Sequence, residues 1–89
     1  MTAVTYRVQV TDEARNSYLS LPEKIKRQLA RKIDALEGDP FPPGCKALRG
    51  KFEGLHRVRS GDYRIVYQVR GDVLLVLVVK IGIRGIIYR

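Results

Sequence analysis

The chain of 89 residues, 45% hydrophobic and 29% charged, is expected to form one domain over residues 1–89, and neither several domains nor intrinsic disorder fits this composition. Its net charge of +8 comes almost wholly from residues 40–89, which carry ten Lys/Arg and three Asp/Glu. This basic half indicates nucleic acid, an anionic membrane surface or an acidic protein as partner. The lone cysteine, Cys45, excludes a disulfide framework and a cysteine-based metal site, and we expect neither a metal nor a cofactor.

The N-terminal half predicts one strand and two helices. Residues 4–10 alternate apolar and polar side chains, which is typical of a half-buried strand. Thr11 is suited to cap a short helix, because the two acidic residues after it interact favourably with the positive end of the helix dipole. A second helix follows Pro22 and ends at the breaker residues 38–40. Its apolar stripe recurs at helical spacing: Ile25, Leu29, Ile33 and Leu36.

Residues 38–50 contain three Gly and three Pro and predict an irregular connection. An antiparallel meander is expected from residue 55 onward, with Gly-Asp pairs at 61–62 and 71–72 as two-residue hairpin turns. The apolar run 73–79 in its last strand is too short to cross a membrane, so we expect a cytoplasmic protein without a membrane partner.

These turns predict which residues face each other. The first places Arg59 opposite Arg64, and the second places Arg64 opposite Val79 and Val66 opposite Leu77. The arginines at 57, 59 and 64 then share one face of the sheet. The other face is the core candidate and holds His56, Val58, Tyr63, Ile65, Tyr67 and Val69. We interpret His56 as a structural residue of this core face.

The expected fold is α+β, with two N-terminal helices packed on an antiparallel sheet that the N-terminal strand and the meander form.

The pairing of Arg59 with Arg64 is unusual, because like charges directly opposite each other destabilise a sheet. An anion between them would remove the repulsion, since guanidinium groups match phosphate oxygens. The alternative interpretation is that exposed arginines spread into water at little cost. Three arginines on one face of a basic half favour an anion-binding function.

The segment ALRGKFEGLHRVRSGDYRIVYQVRGD, residues 47–72, is followed by a hydrophobic strand, a Gly-x-Arg at 82–84 and a Tyr-Arg at 88–89. Together these features resemble the RelE/ParE toxin superfamily, and within it the RelE-like toxins, over nearly the whole chain. The resemblance implies the toxin of a type II toxin-antitoxin system, which enters the ribosome and cuts messenger RNA without a metal or cofactor. It also implies a cognate RelB-like antitoxin as partner, in a toxin-antitoxin hetero-oligomer.

The resemblance also implies roles for individual residues. Those expected to take part in catalysis are Arg57, Arg64 and Arg84, which would stabilise the scissile phosphate, and Tyr88, which would accept a proton from the ribose hydroxyl. The predicted RNA-binding residues are Lys46, Arg49, Lys51 and Arg59.

The chain departs from its relatives at two positions, which leaves two alternatives open. Ile83 stands where many relatives carry a histidine, and Leu55 stands where some carry a lysine, for which Lys46 or Lys51 would have to substitute. One alternative is a non-catalytic inhibitor of DNA gyrase, as in the ParE branch. The other is a degenerate toxin that retains only antitoxin binding.

Overall fold

The structure is a computed structural model that describes residues 5–83 and residue 87. The elements in chain order are β1 Arg7–Val10, α1 Asp12–Leu19, α2 Glu23–Ala35, β2 Lys46–Ala47, β3 His56–Ser60, β4 Tyr63–Arg70 and β5 Leu75–Ile83, with a 3₁₀ turn at Gly50–Phe52. The strands form one sheet of order β1-β5-β4-β3-β2, and both helices cover the same face of it. The predicted α+β architecture is confirmed. Neither α1 nor α2 is long and apolar enough to cross a membrane.

The sheet is mixed, because β1 runs parallel to β5 while the other neighbouring strands are antiparallel. At the end of β1 the backbone N–H of Thr11 donates to the carbonyl of Val78 over 2.9 Å. The Thr11 hydroxyl donates to the next carbonyl, that of Val79, over 3.1 Å. These two bonds hold the N-terminal strand in the parallel direction, which the alternation of its side chains does not encode.

Thr11 also caps α1, as its sequence context predicts. Its side-chain oxygen accepts a hydrogen bond from the backbone N–H of Ala14 over 3.2 Å, while Asp12 and Glu13 occupy the first turn. Glu13 in turn forms an ion pair of 3.1 Å with Lys80 of β5. The start of α1 is therefore joined by the side chains of Thr11 and Glu13 to two adjacent residues of β5, Val79 and Lys80.

The core lies between the helices and one face of the sheet. Leu29 and Leu36 of the predicted α2 stripe are fully buried, and Ile25 and Ile33 pack beside them. The buried members of this cluster are Ala14, Leu29, Leu36, Val58, Ile65, Tyr67, Val76, Val78 and Ile81. Of the residues predicted for the core face of the meander, Tyr63 and Val69 are partly buried against this cluster.

The first hairpin has the predicted register. Arg59 lies opposite Arg64 and Val58 opposite Ile65, and Gly61 in the turn has a φ of 61°, which glycine adopts without strain. Arg57, Arg59 and Arg64 therefore share one face of the sheet, as predicted.

The second predicted turn is wrong. β4 and β5 are joined by four residues, 71–74, with Arg70 opposite Leu75, and a bulge between Val66 and Tyr67 shifts the register again. Arg64 consequently lies opposite Gly82 rather than Val79, and Val66 opposite Lys80 rather than Leu77. A two-residue turn would need a positive φ at Gly71, whereas the positive φ of this connection, 50°, falls on Leu74.

The structure also contains a strand that the sequence analysis assigned to the irregular connection. β2 comprises only Lys46 and Ala47, which pair with Arg57 and His56 of β3. Two residues are too few to produce a recognisable alternation, so no periodic signal marks this strand.

The Thr11 contacts generate a prediction about stability. Thr11→Ala removes both the cap and the hydroxyl bond to Val79, and we expect it to lower the free energy of unfolding by about 1–2 kcal/mol. Thr11→Ser keeps the hydroxyl and serves as the control, with a loss below about 0.5 kcal/mol. Urea unfolding followed by circular dichroism measures both variants, and equal stability of Thr11→Ala and wild type would contradict this role.

Candidate functional site

The face of the sheet away from the helices, called the outer face below, collects the positive charge of the strands. In an antiparallel pair, residues directly opposite each other project to the same side, so Lys46 and Arg57 lie together, as do Arg59 and Arg64. The register places every Lys/Arg of the five strands on this face: Arg7, Lys46, Arg57, Arg59, Arg64, Arg70 and Lys80. The described strands contain no Asp or Glu. Two of these cations form ion pairs, Lys80 with Glu13 and Arg70 with Asp72, so the excess positive charge of the outer face comes mainly from the other five.

The four predicted site residues on the outer face differ in exposure. Lys46 and Arg59 are exposed and Arg57 is half-buried. Arg64 is only 4% exposed, and its Nη1 donates to the carbonyl of Tyr63 over 3.5 Å. A guanidinium held below the surface has a defined orientation, whereas its neighbour across the strands, Arg59, is free to adapt.

Gly82 lies directly opposite Arg64 and leaves room on the outer face. A Cβ atom at Gly82 would lie 3.5 Å from Cβ of Ile87, which is itself buried. The backbone N–H of Ile87 donates to the carbonyl of Ile83 over 3.1 Å. Ile87 therefore lies on the same face as Arg64.

Two of the predicted catalytic residues, Arg84 and Tyr88, lie outside the described residues, and their roles stay predictions. Arg49 and Lys51 belong to the connection between β2 and β3, where both are exposed. The Lys51 ammonium lies 5.3 Å from the centre of the Phe52 ring. Of the two lysines considered as substitutes for a family lysine at Leu55, Lys46 is the one opposite Arg57.

An open depression of about 400 Å³ lies at the turn between β3 and β4 and is called the hairpin depression below. Its lining residues are Arg59, Gly61, Asp62, Tyr63, Arg64 and Ile83. Ile83, which stands where many relatives have a histidine, is 45% exposed and gives this depression an apolar wall. The two guanidinium groups outnumber the single carboxylate, that of Asp62, and make the depression suited to an anion the size of a phosphate.

His56 and Tyr67 lie on the core face, away from the outer face. His56 contacts the Phe41 ring edge to face, with ring centres 5.0 Å apart, and its Nδ1 is buried without a hydrogen-bond partner among residues 5–83 and 87. The Tyr67 hydroxyl donates to the carbonyl of Pro40 over 2.8 Å, and burial raises the pKa of this phenol far above its usual range. Both positions agree with a structural role.

The strand positions on the outer face hold no histidine, tyrosine or carboxylate. The described strand positions of this face therefore supply cations that bind and stabilise negative charge, while the carboxylate and the phenol that line the hairpin depression belong to Asp62 and Tyr63. No group of three His, Cys, Asp or Glu that could hold a metal ion occurs within the described residues.

The different burial of the two facing arginines generates a prediction. Arg64→Ala leaves a buried gap and removes buried hydrogen-bonding groups, so we expect the free energy of unfolding to fall by about 1–3 kcal/mol. Arg59→Ala removes an exposed side chain that repels Arg64, so its effect should stay within about 0.5 kcal/mol. Denaturant unfolding of the two variants measures the difference, and an equal loss in both would contradict the burial of Arg64.

Comparisons with known proteins give a consistent result. Residues 6–88 match the family model described as the ParE toxin of type II toxin-antitoxin systems. The chain is 36% identical over 85 residues to Toxin RelE of Mycobacterium tuberculosis, covering 94% of this chain and 87% of that protein.

Solved structures agree with this similarity. A chain of the RelBE2 toxin-antitoxin complex from Mycobacterium tuberculosis matches with a TM-score of 0.82 and 27% identity, over 91% of this chain and 100% of the other. A chain of the archaeal RelE–RelB complex from Pyrococcus horikoshii OT3 matches with a TM-score of 0.79 and 32% identity. The match covers 91% of this chain and 97% of the other. The similarity therefore extends over about nine-tenths of the chain and includes its overall fold.

Proposed function

The chain belongs to the RelE/ParE family of toxins from type II toxin-antitoxin systems, and on this premise we propose that it inhibits translation by cutting messenger RNA on the ribosome. The observation that carries the proposal is the outer face, where the seven Lys/Arg of the strands project and the strands contribute no carboxylate. A face with an excess of positive charge and two cross-strand pairs of cations suits the phosphate backbone of RNA.

Cleavage in this proposal is an in-line displacement at phosphorus. The ribose 2′-oxygen attacks the adjacent phosphorus, the bond to the 5′-oxygen breaks, the 2′ proton passes to a base and the leaving oxygen takes up a proton. Arg57, Arg64 and Arg84 stabilise the charge that develops on the phosphate oxygens, because fixed cations aimed at developing charge lower the barrier. Lys46, Arg49, Lys51 and Arg59 hold the RNA backbone.

Tyr88 is the proposed base. An unperturbed phenol has a pKa of about 10 and is a poor proton acceptor at neutral pH. Neighbouring cations favour the phenolate and lower that pKa, and Arg64 and Arg84 are the residues proposed to do so. Ile87, the described residue that precedes Tyr88 in the chain, lies over Gly82.

The proposal includes a RelB-like antitoxin that holds the toxin inactive in a hetero-oligomer in the cytoplasm. Support comes from the matched RelE structures, which are toxin-antitoxin complexes, and from the net charge of +8, which suits an acidic partner.

A second candidate is non-catalytic inhibition of DNA gyrase. Two observations favour it: the matching family model describes the ParE toxin, and Ile83 stands in place of the family histidine at the hairpin depression. The relatives named above favour messenger RNA cleavage instead, since both solved chains and the sequence relative are RelE proteins.

Mapping of message ends after induced expression separates these candidates. Wild type should produce new 5′ ends inside translated codons, and both Arg57→Ala and Tyr88→Phe should reduce them at least about tenfold, as loss of a charge stabiliser or a base would do. Arg27→Ala is the control, because it removes an exposed arginine of α2 and should leave the cuts unchanged.

Three outcomes would contradict the proposal in different ways. Growth arrest with intact messages and accumulated gyrase cleavage complexes would identify the ParE-like alternative. Normal growth on expression would identify a toxin that retains only antitoxin binding. Cuts that persist in Tyr88→Phe but disappear in Arg57→Ala would remove Tyr88 from the mechanism.

A further inference from the structure

A second basic surface lies beside the outer face, between α2 and the β3–β4 turn. It is an open groove of about 640 Å³, called the α2 groove below. Its lining residues are Gln28, Arg31, Lys32, Ala35, Arg59, Ser60 and Gly61. Three of these seven residues are cations and none is acidic.

The α2 residues of this groove form one stripe of the helix. Gln28, Arg31, Lys32 and Ala35 recur at the spacing i, i+3, i+4, i+7, which places their side chains on the same side. Arg31 and Lys32 are exposed, and neither forms an ion pair with any described residue. Lys26 of the same helix does form an ion pair, of 2.8 Å with Glu23. The cations of the groove are therefore available to a ligand.

Arg59 and Gly61 line both the α2 groove and the hairpin depression. The two concave surfaces consequently meet at the β3–β4 turn, and Arg59 has access to each. A path of cations runs from Arg64 past Arg59 to Arg31 and Lys32 of α2, and Asp62 is the single acidic lining residue of the two surfaces. Such a path matches a chain of regularly spaced phosphates better than it matches a single anion.

We propose that the α2 groove binds the phosphate backbone of single-stranded RNA as it passes over the β3–β4 turn, with Arg31 and Lys32 as phosphate contacts beyond the cleavage site. This inference rests on the proposed function, because it takes RNA to be the ligand of the outer face. It extends the binding surface from the sheet to α2 and assigns two residues that the sequence analysis did not.

The chemistry of the lining favours RNA over an acidic peptide. The groove offers small, polar and cationic residues and no large apolar side chain, so a peptide would find no anchor in it. A separate groove of about 350 Å³ between the helices and the sheet is mostly apolar, with Val10, Leu19, Ile33 and Ile81 among its lining residues. A peptide segment that folds on binding would bury more apolar surface in this groove than in the α2 groove.

Binding of fluorescent single-stranded RNA tests the inference. Wild type should bind an oligonucleotide of about 14 nucleotides more tightly than one of about 6, because the longer strand reaches both surfaces. The double variant Arg31→Ala/Lys32→Ala should bind the longer strand roughly tenfold more weakly, with a salt slope smaller by about 1.4, which corresponds to two lost phosphate contacts. Its affinity for the shorter strand should change little.

The matched control is Arg15→Ala/Arg27→Ala, which also removes two positive charges, from helix positions outside the α2 groove. The affinity of this control for the longer strand should fall by less than about twofold. Equal losses in the two double variants would overturn the inference, because net charge alone would then explain the effect. Message mapping runs in parallel: RNA binding that depends on Arg31 and Lys32 without cuts in translated codons would overturn the proposed cleavage but not the groove.

The RNA has two possible sources, and a ribosome arm separates them. If the groove holds ribosomal RNA, the Arg31→Ala/Lys32→Ala variant binds ribosomes without message more weakly than wild type. If it holds the message, the difference arises only when message is present. Protection of the groove lysine from acylation by an acidic peptide, but not by RNA, would overturn the inference in favour of a peptide.

Discussion

The register of the β3–β4 hairpin is the constraint on which both faces of the sheet depend. Because successive side chains of a strand alternate, a slip of one residue in either strand would turn its apolar residue, Val58 or Ile65, away from the helices and carry its arginine, Arg59 or Arg64, toward them. Burial of the apolar pair stabilises the fold and excludes that slip. The like-charge pairing of the arginines is thus a consequence of a register selected by the opposite face. The hydrophobic core holds the cations together against their repulsion, and the outer face is a site whose geometry is fixed before any ligand arrives.

Arg64 and Arg59 contribute different properties to an anion site, a fixed position and adaptability. Arg64 is buried beside Gly82, the one residue of β5 that can face it without adding a side chain, and Ile87 covers the vacant space on that glycine. A buried cation keeps its position as charge develops on a ligand and needs little reorganisation, which is the property that electrostatic catalysis requires. Arg59 is exposed and lines two concave surfaces, so it can follow a flexible strand. Under the proposed function, Arg64 would hold the phosphate precisely and Arg59, its neighbour across the hairpin, would follow the RNA.

The features predicted correctly are those encoded within a few residues. The Thr11 cap, the α2 stripe and the turn at Gly61 each need only a short window, and the first hairpin register follows from that turn. The second hairpin failed because a non-glycine residue, Leu74, takes the positive φ, and because a bulge shifts β5 in a way that no composition signal marks. β2 is too short for a pattern. In the sequence, Arg31 and Lys32 have the pattern of the solvent-exposed side of a helix. Only the packing of α2 beside the hairpin brings Arg59 into the same groove with them.

The concentration of positive charge also bears on the partners. The seven strand cations on one face outnumber the carboxylates that pair with them, Glu13 with Lys80 and Asp72 with Arg70, so whatever neutralises the remaining charge stabilises the folded toxin. RNA does so through its phosphates, and an acidic antitoxin does so through carboxylates. The two ligands then oppose each other electrostatically even where their footprints differ, because each removes the positive field that attracts the other. An antitoxin seated largely in the apolar groove between the helices and the sheet would still weaken RNA binding at the outer face, without covering Arg57 or Arg59.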